Sequence, residues 1–242
     1  TKDDALDFQA AINFRDEMMM KIAPYEFRVK AITVDIELTK DIDVSTLIKR
    51  FNYAYSKIKT TKDTYIEVNQ LLIDEMDQET YYQSHLQGAI DNNKLVNYYQ
   101  PKMDPKTNKL VGAEALSRWI DDDGLVPPDK FIHIAETTGL IYDVDLVAFE
   151  KSLQMIKQLR EANMIDEKVR ISSNFSPITL KNLTFDTIKH LVEKYKVSTS
   201  NVSIEITETV VMEFDLISDL LSKIADFGIS IEIDDFSAGN SS

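Results

Sequence analysis

Residues 202–208 read VSIEITE and residues 229–235 read ISIEIDD, and these two stretches decide the fold. Successive side chains of a strand point to opposite faces, so parity assigns each residue its side. Val202, Ile204 and Ile206 share one face, with Ser203, Glu205 and Thr207 on the other. Ile229, Ile231 and Ile233 are opposed in the same way by Ser230, Glu232 and Asp234. RISSNFS at 170–176 sets Ile171 and Phe175 against Arg170, Ser172, Asn174 and Ser176. A parallel sheet covered by helices on both faces should read almost continuously apolar. These strands do not. They read as barrel staves, with an outer face packed on helices and an inner face that is small or polar.

Working outward, the texture from residue 95 onward is strand and helix in alternation. LVNYYQPKMD and LVGAEALSRW are separated by the turn residues PKTNK, which suits a hairpin of first strands. Helices are predicted over 128–136, 145–161, 180–194 and 216–226; the second carries Leu146, Phe149, Leu153, Ile156 and Leu159 at helical spacing. Gly228 leads into the last strand. Such alternation implies βαβ units and a parallel sheet, open or closed into a barrel.

The front of the chain reads differently. Helical spacing is predicted over 4–22, a half-buried strand over 32–38, a helix from Val44 to Ile58 and a short strand over 65–68. Residues 75–94 form a polar helical stretch with a thin apolar seam at Tyr82, Leu86 and Ile90, and lack the Gly/Pro/Ser bias of a floppy tether. The expected organisation is therefore a first domain at 1–74, a semi-rigid helical linker at 75–94 and a second domain at 95–242.

Composition narrows the chemistry. There are no cysteines, which excludes disulfides, thiolate zinc sites and cysteine nucleophiles. His85, His133 and His190 lie far apart in no ligand-like pair, so structural roles suit them. Any metal would rest mainly on oxygen ligands, which points to magnesium, manganese or calcium. A net charge of −14 argues against a protein that coats nucleic acid, yet leaves room for a small phosphate ligand if bound cations reverse the local field. No apolar run of about 18 residues occurs. The acidic opening TKDDALDFQ lacks the apolar core of a secretory signal. A cytoplasmic segment, free or part of a membrane-anchored protein, is the expectation.

Oxygen-bearing side chains recur near the predicted C-terminal ends of the staves: Glu114, Asn174, Glu205 and Asp234, with Asp235 alongside. The last three strands are spaced by one βα unit. In (β/α) barrels the C-terminal strand ends form the mouth where catalytic residues collect. Acids and an amide converging there would repel one another unless a cation sits between them. Taken singly, each has a plainer explanation as a salt-bridge partner or rim residue, and the pattern alone names no substrate.

The motifs carry a family resemblance. YYQPKMD followed by GAEALSRW resembles the opening of an EAL domain, with the triplet itself at Glu114, Ala115 and Leu116. FIHIAETTGLI at 131–141 is similar to that family's F-I-P-x-A-E-x-x-G-L-I helix, His133 replacing the proline. SSNFSP matches its N-x-S strand, IEITET its E-x-T-E strand and DDFSAGNSS its D-D-F-G-T-G-Y-S-S loop. Together they run from about residue 93 to the end of the chain in family order. In the last loop Ser237, Ala238 and Asn240 stand where the family has glycine, threonine and tyrosine. At the front, residues 32–68 resemble the second half of a GGDEF domain, without the signature motif.

The resemblance implies a (β/α)8-type barrel, about five strands of which lie in this chain, preceded by a partial α+β GGDEF-like domain. It implies metal-dependent hydrolysis of cyclic di-GMP to linear pGpG in bacterial signalling, with one or two Mg2+ or Mn2+ ions. Carried over by position, Glu114, Asn174, Glu205 and Asp234 would be metal ligands and Asp235 would help to hold a second ion. Glu114, Asp234 and Asp235 would form the catalytic set, Gln100, Leu116 and Arg118 would contact the dinucleotide, and Glu208 would stabilise a loop. A homodimer through the EAL domain, no polymeric nucleic acid and no membrane segment complete the expected partners. The family's later lysine and A-E-G-V-E glutamate have no counterpart before Ser242, so a longer chain completing the barrel is expected to carry the enzyme. The alternative is an impaired EAL domain acting as a cyclic di-GMP receptor or regulatory module.

Overall fold

Elements form largely where the two periodicities place them. A computed structural model describes residues 10, 13, 14, 16, 17, 30–34, 44–207 and 214–234. The chain divides into two units, Thr1–Tyr81 and Tyr82–Ser242.

In the first unit, β1 (Ala31–Val34) pairs in parallel with β2 (Tyr65–Val68), and α1 (Val44–Thr60) lies between them in sequence as the crossover of a βαβ unit. Ala54 and Ile58 of α1 are buried. Lys57 holds Glu75 at 2.8 Å and Glu79 at 2.7 Å, both on α2 (Gln70–Asp91). Most of the helix predicted over 4–22, and the continuation of the first strand to residue 38, lie outside the described residues.

The stretch read as a linker, 75–94, falls largely within α2, whose residues from Tyr82 onward belong to the second unit. There Tyr82, Leu86 and Ala89 are buried, and they belong to a core with Leu95, Trp119, Phe131, Ile134 and Ile141. Tyr82 and Phe131 flank Trp119 edge-on, with ring centroids 5.4 and 6.1 Å away.

The second unit is built on a mixed sheet. β3 (Leu95–Met103), β4 (Leu110–Asp121) and β5 (Gly124–Val126) form antiparallel pairs. From β4 onward the strands run parallel in the order β4, β6 (Arg170–Asn174), β7 (Val202–Thr207), β8 (Ser230–Asp234). The helices between them are α3 (Pro128–Thr138), α4 (Ile141–Glu161), α5 (Pro177–Asn182), α6 (Phe185–Tyr195) and α7 (Phe214–Asp226). The predicted helix over 180–194 is two helices instead. Leu183 turns extended, and the side chain of Thr184 accepts from the Thr187 N–H at 3.2 Å, capping a fresh start.

The outward residues behave as their parity predicts except Ile233, which is 48 % exposed. Ile171, Phe175, Ile204 and Ile206 join Phe149, Leu153 and Ile156 of α4, Ile188 and Val192 of α6, and Ile217, Leu221 and Ile224 of α7 in one continuous core. Phe149 and Phe175 meet at 5.5 Å between centroids. Burying side chains of this size stabilises by roughly 1.5–3 kcal/mol each. This apolar layer fixes the strands, and so aims their other faces. Among the described residues no helix is long and apolar enough to cross a membrane.

Candidate active site

Side chains of four parallel strands converge on the inner face. Carboxylate oxygens of Glu114 (β4), Glu205 (β7) and Asp234 (β8) lie within 4.8 Å of one another. Asn174, the last residue of β6, donates from Nδ2 to Glu114 Oε1 at 2.9 Å, which ties the amide to the same group. One point differs from the sequence reading. Glu114 is not at the end of its strand, because β4 outlasts β6: residues beyond Ala115 pair only with β3 and β5. Measured against β6 it still lies beside the last paired position, Ala115.

Glu205 is the buried member, 5 % exposed. Its two oxygens are treated unequally. Oε1 accepts from Lys102 Nζ and from Ser172 Oγ, the latter at 2.9 Å, whereas the buried Oε2 has no hydrogen-bond partner. Burial pushes the Glu205 carboxyl above its usual range, with nearby Glu114 adding to the rise and Lys102 and Ser172 opposing it.

Lys102 was not singled out from the sequence, yet it stands at the centre of this face. Its Nζ also reaches Glu232 Oε2 at 2.8 Å and Ser172 Oγ at 3.1 Å. Burial opposes its charge, but the hydrogen bonds to Glu205 and Glu232 win and raise its pKa. Glu232 takes Ser203 Oγ on Oε1 at 2.6 Å. Burial disfavours its ionised form too, and Lys102 and Ser203 together hold the carboxyl below the usual range. Strand parity with Tyr98 and Gln100 is enough to place Lys102 on this face but not to name its partners.

The β3–β4 hairpin brings the remaining predicted residues to the same face. Gln100 pairs across from Glu114, Tyr98 from Leu116 and Val96 from Arg118. Gln100 is exposed; Leu116 and Arg118 are half-buried. Arg118 donates from Nη1 to the Ser117 carbonyl at 2.8 Å and stacks over the Tyr98 ring at 5.4 Å. Asp235, Glu208 and the substituted loop Ser237–Asn240 lie outside the described residues.

A second residue missed from the sequence supports the site from the outer layer. Asp145 of α4, 7 % exposed, accepts the Ser176 N–H at 2.9 Å and the Thr179 hydroxyl at 2.6 Å. It thereby pins the turn that follows Asn174. Burial raises its carboxyl to about 6.

The donor set fits a hard divalent cation. It offers carboxylate oxygens and the Asn174 amide oxygen, it includes no histidine or thiolate, and one buried carboxylate oxygen is left without a partner.

The model of the EAL domain family matches residues 83–242. Among curated proteins, the signaling protein YkoW of Bacillus subtilis is 30% identical over 216 residues, which are 87% of this chain and 25% of that protein. The cyclic di-GMP phosphodiesterase NbdA of Pseudomonas aeruginosa is 30% identical over 168 residues, 68% of this chain and 21% of that one. The chain thus spans about a quarter of the length of these curated relatives. Among solved structures, the PaMucR phosphodiesterase in its c-di-GMP complex aligns with a TM-score of 0.61 at 26% identity, covering 67% of this chain and 66% of that one.

Proposed function

The chain belongs to the EAL domain family, and on that premise we propose that it hydrolyses cyclic di-GMP to linear pGpG with Mg2+ or Mn2+. The observation that carries this reading is the meeting of Glu114, Glu205 and Asp234 oxygens within 4.8 Å. Carboxylates so close are costly to ionise together unless a cation neutralises them. Glu114, Asn174, Glu205 and Asp234 would hold the ion, with Asp235 contributing to a second. When bound, such ions lower the pKa of water and draw charge from the phosphoryl oxygens.

The residues themselves bind and orient. Gln100, Leu116 and Arg118 line the same face and would hold the dinucleotide. Arg118 is steadied by Tyr98 and the Ser117 carbonyl, and a guanidinium offers a planar fork of donors to a phosphate. In the reaction the water oxygen bonds to phosphorus and one P–O3′ ester bond breaks. The departing sugar oxygen takes the proton, leaving one 5′-phosphate and one 3′-hydroxyl. The relatives support the substrate: NbdA is named a cyclic di-GMP phosphodiesterase, and the PaMucR phosphodiesterase structure is a c-di-GMP complex.

The same reading takes residues 1–74 as the later half of a GGDEF-type domain, supported by the strand–helix–strand motif there. It sets the protein in the bacterial cytoplasm, or on the cytoplasmic side of a membrane anchor, and allows a homodimer through the EAL domain. Incubating the complete protein, including the rest of the barrel, with cyclic di-GMP and Mn2+ and separating products by chromatography should give pGpG, and Glu114→Gln should reduce turnover to background. Tight binding of intact cyclic di-GMP without metal and without turnover would replace the hydrolase with a receptor.

A further inference from the structure

We propose that Lys102 and Glu232 are a positioning pair beneath the metal ligands: Glu232 anchors the lysine, and the lysine fixes one oxygen of Glu205 so that the other is held for the ion. This rests on the metal-dependent reading above and deepens it. Three observations carry it. A lysine ammonium has three N–H donors, and Lys102 has three acceptors, Glu205 Oε1, Glu232 Oε2 and Ser172 Oγ, so its head is fully committed. Glu205 spends Oε1 on Lys102 and Ser172 while its buried Oε2 has no hydrogen-bond partner. Glu232 spends both oxygens, one on Lys102 and one on Ser203, and is absent from the cluster formed by Glu114, Glu205 and Asp234.

The pairing also explains how two acids can sit side by side. Glu205 and Glu232 are register partners on β7 and β8, where like charges directly opposite each other destabilise a sheet. Lys102, arriving from β3, bonds to both. It divides them into a ligand, with one oxygen open, and an anchor, with none.

The test is a calorimetric Mn2+ titration of the protein and its variants. Groups that orient a metal ligand from behind typically change metal affinity by about 10- to 100-fold when removed. Lys102→Met should therefore weaken Mn2+ binding by about 10-fold, and Lys102→Arg should recover much of the loss. A lysine that merely screens charge would give the opposite sign, since deleting it leaves the acids more attractive to a cation. Tighter or unchanged binding in Lys102→Met overturns the proposal. Should Lys102→Met fail to fold, Ser172→Ala removes the other hydrogen bond to the same Glu205 oxygen without altering charge. It should weaken binding several-fold, on the order of what a neutral hydrogen bond contributes, and unchanged affinity there overturns the proposal equally. A parent protein that binds no Mn2+ sinks the metal reading itself, whereas a parent that binds and variants that bind equally well sink only the positioning pair.

Discussion

The strands β6, β7 and β8 present two faces that share one period and differ in almost everything else. On the outer face Ile171, Ile204 and Ile206 are buried against α4, α6 and α7. On the inner face Ser172, Ser203 and Glu205 are buried just as deeply. Burial therefore does not separate the faces. What separates them is how each residue is satisfied: by van der Waals contact outside, and by the connected chain Ser172, Glu205, Lys102, Glu232, Ser203 inside. The outer face holds the strands in place; the inner face uses that rigidity to keep like charges together. Replacing buried ionic groups by apolar ones is often neutral or stabilising, so the inner network is better explained by chemistry than by stability.

The sharpest way to break this division is to cut the outer face. Ile204 is fully buried, and Ile204→Ala should cost about 2–5 kcal/mol in urea denaturation. Mn2+ affinity of the folded fraction should change much less than stability, because Ile204 points away from the face that carries its neighbour Glu205. Unchanged stability with lost metal affinity would mean that the two faces do not divide the work.

A smaller effect sharpens the comparison at Asp145, a carboxylate placed in the outer layer. Its folded pKa of about 6 lies above the ordinary 3.8, so the fold prefers the neutral acid. The corresponding stability is fully present below about pH 4 and is lost as pH rises through about 6. The change amounts to at most about 3 kcal/mol. Asp145→Asn keeps an acceptor for the Ser176 N–H and cannot ionise. Its denaturation midpoint should vary less between pH 4 and 6 than that of the parent; equal slopes would show that Asp145 is not the group responsible.

Much of this was legible in the sequence because strand parity is exact. The isoleucines of VSIEITE, with Ile229 and Ile231 of ISIEIDD, predicted the outer core, whereas Ile233 lies exposed, and the residues between them predicted the polar face. The hairpin at PKTNK and the helices at 128–136 and 145–161 followed from turn chemistry and helical spacing. What escaped depended on contacts between distant segments. Lys102 and Glu205 lie on strands far apart in sequence, and no local pattern says that a lysine on β3 will bridge two acids on β7 and β8. Asp145 reads as one more polar residue on an amphipathic helix until the turn after Asn174 folds against it. The break at Leu183–Thr184 was hidden because apolar spacing continues across it, while the deciding feature is a single threonine cap.

In the proposed site Glu114, Glu205 and Asp234 share one divalent cation. Crystals of the protein grown with Mn2+ and measured at the manganese absorption edge address that directly. An anomalous peak within about 2.6 Å of oxygens from all three residues, the outer limit of usual hard-cation bonds, is the predicted result. A well-occupied manganese elsewhere, with these three side chains bare, would contradict it.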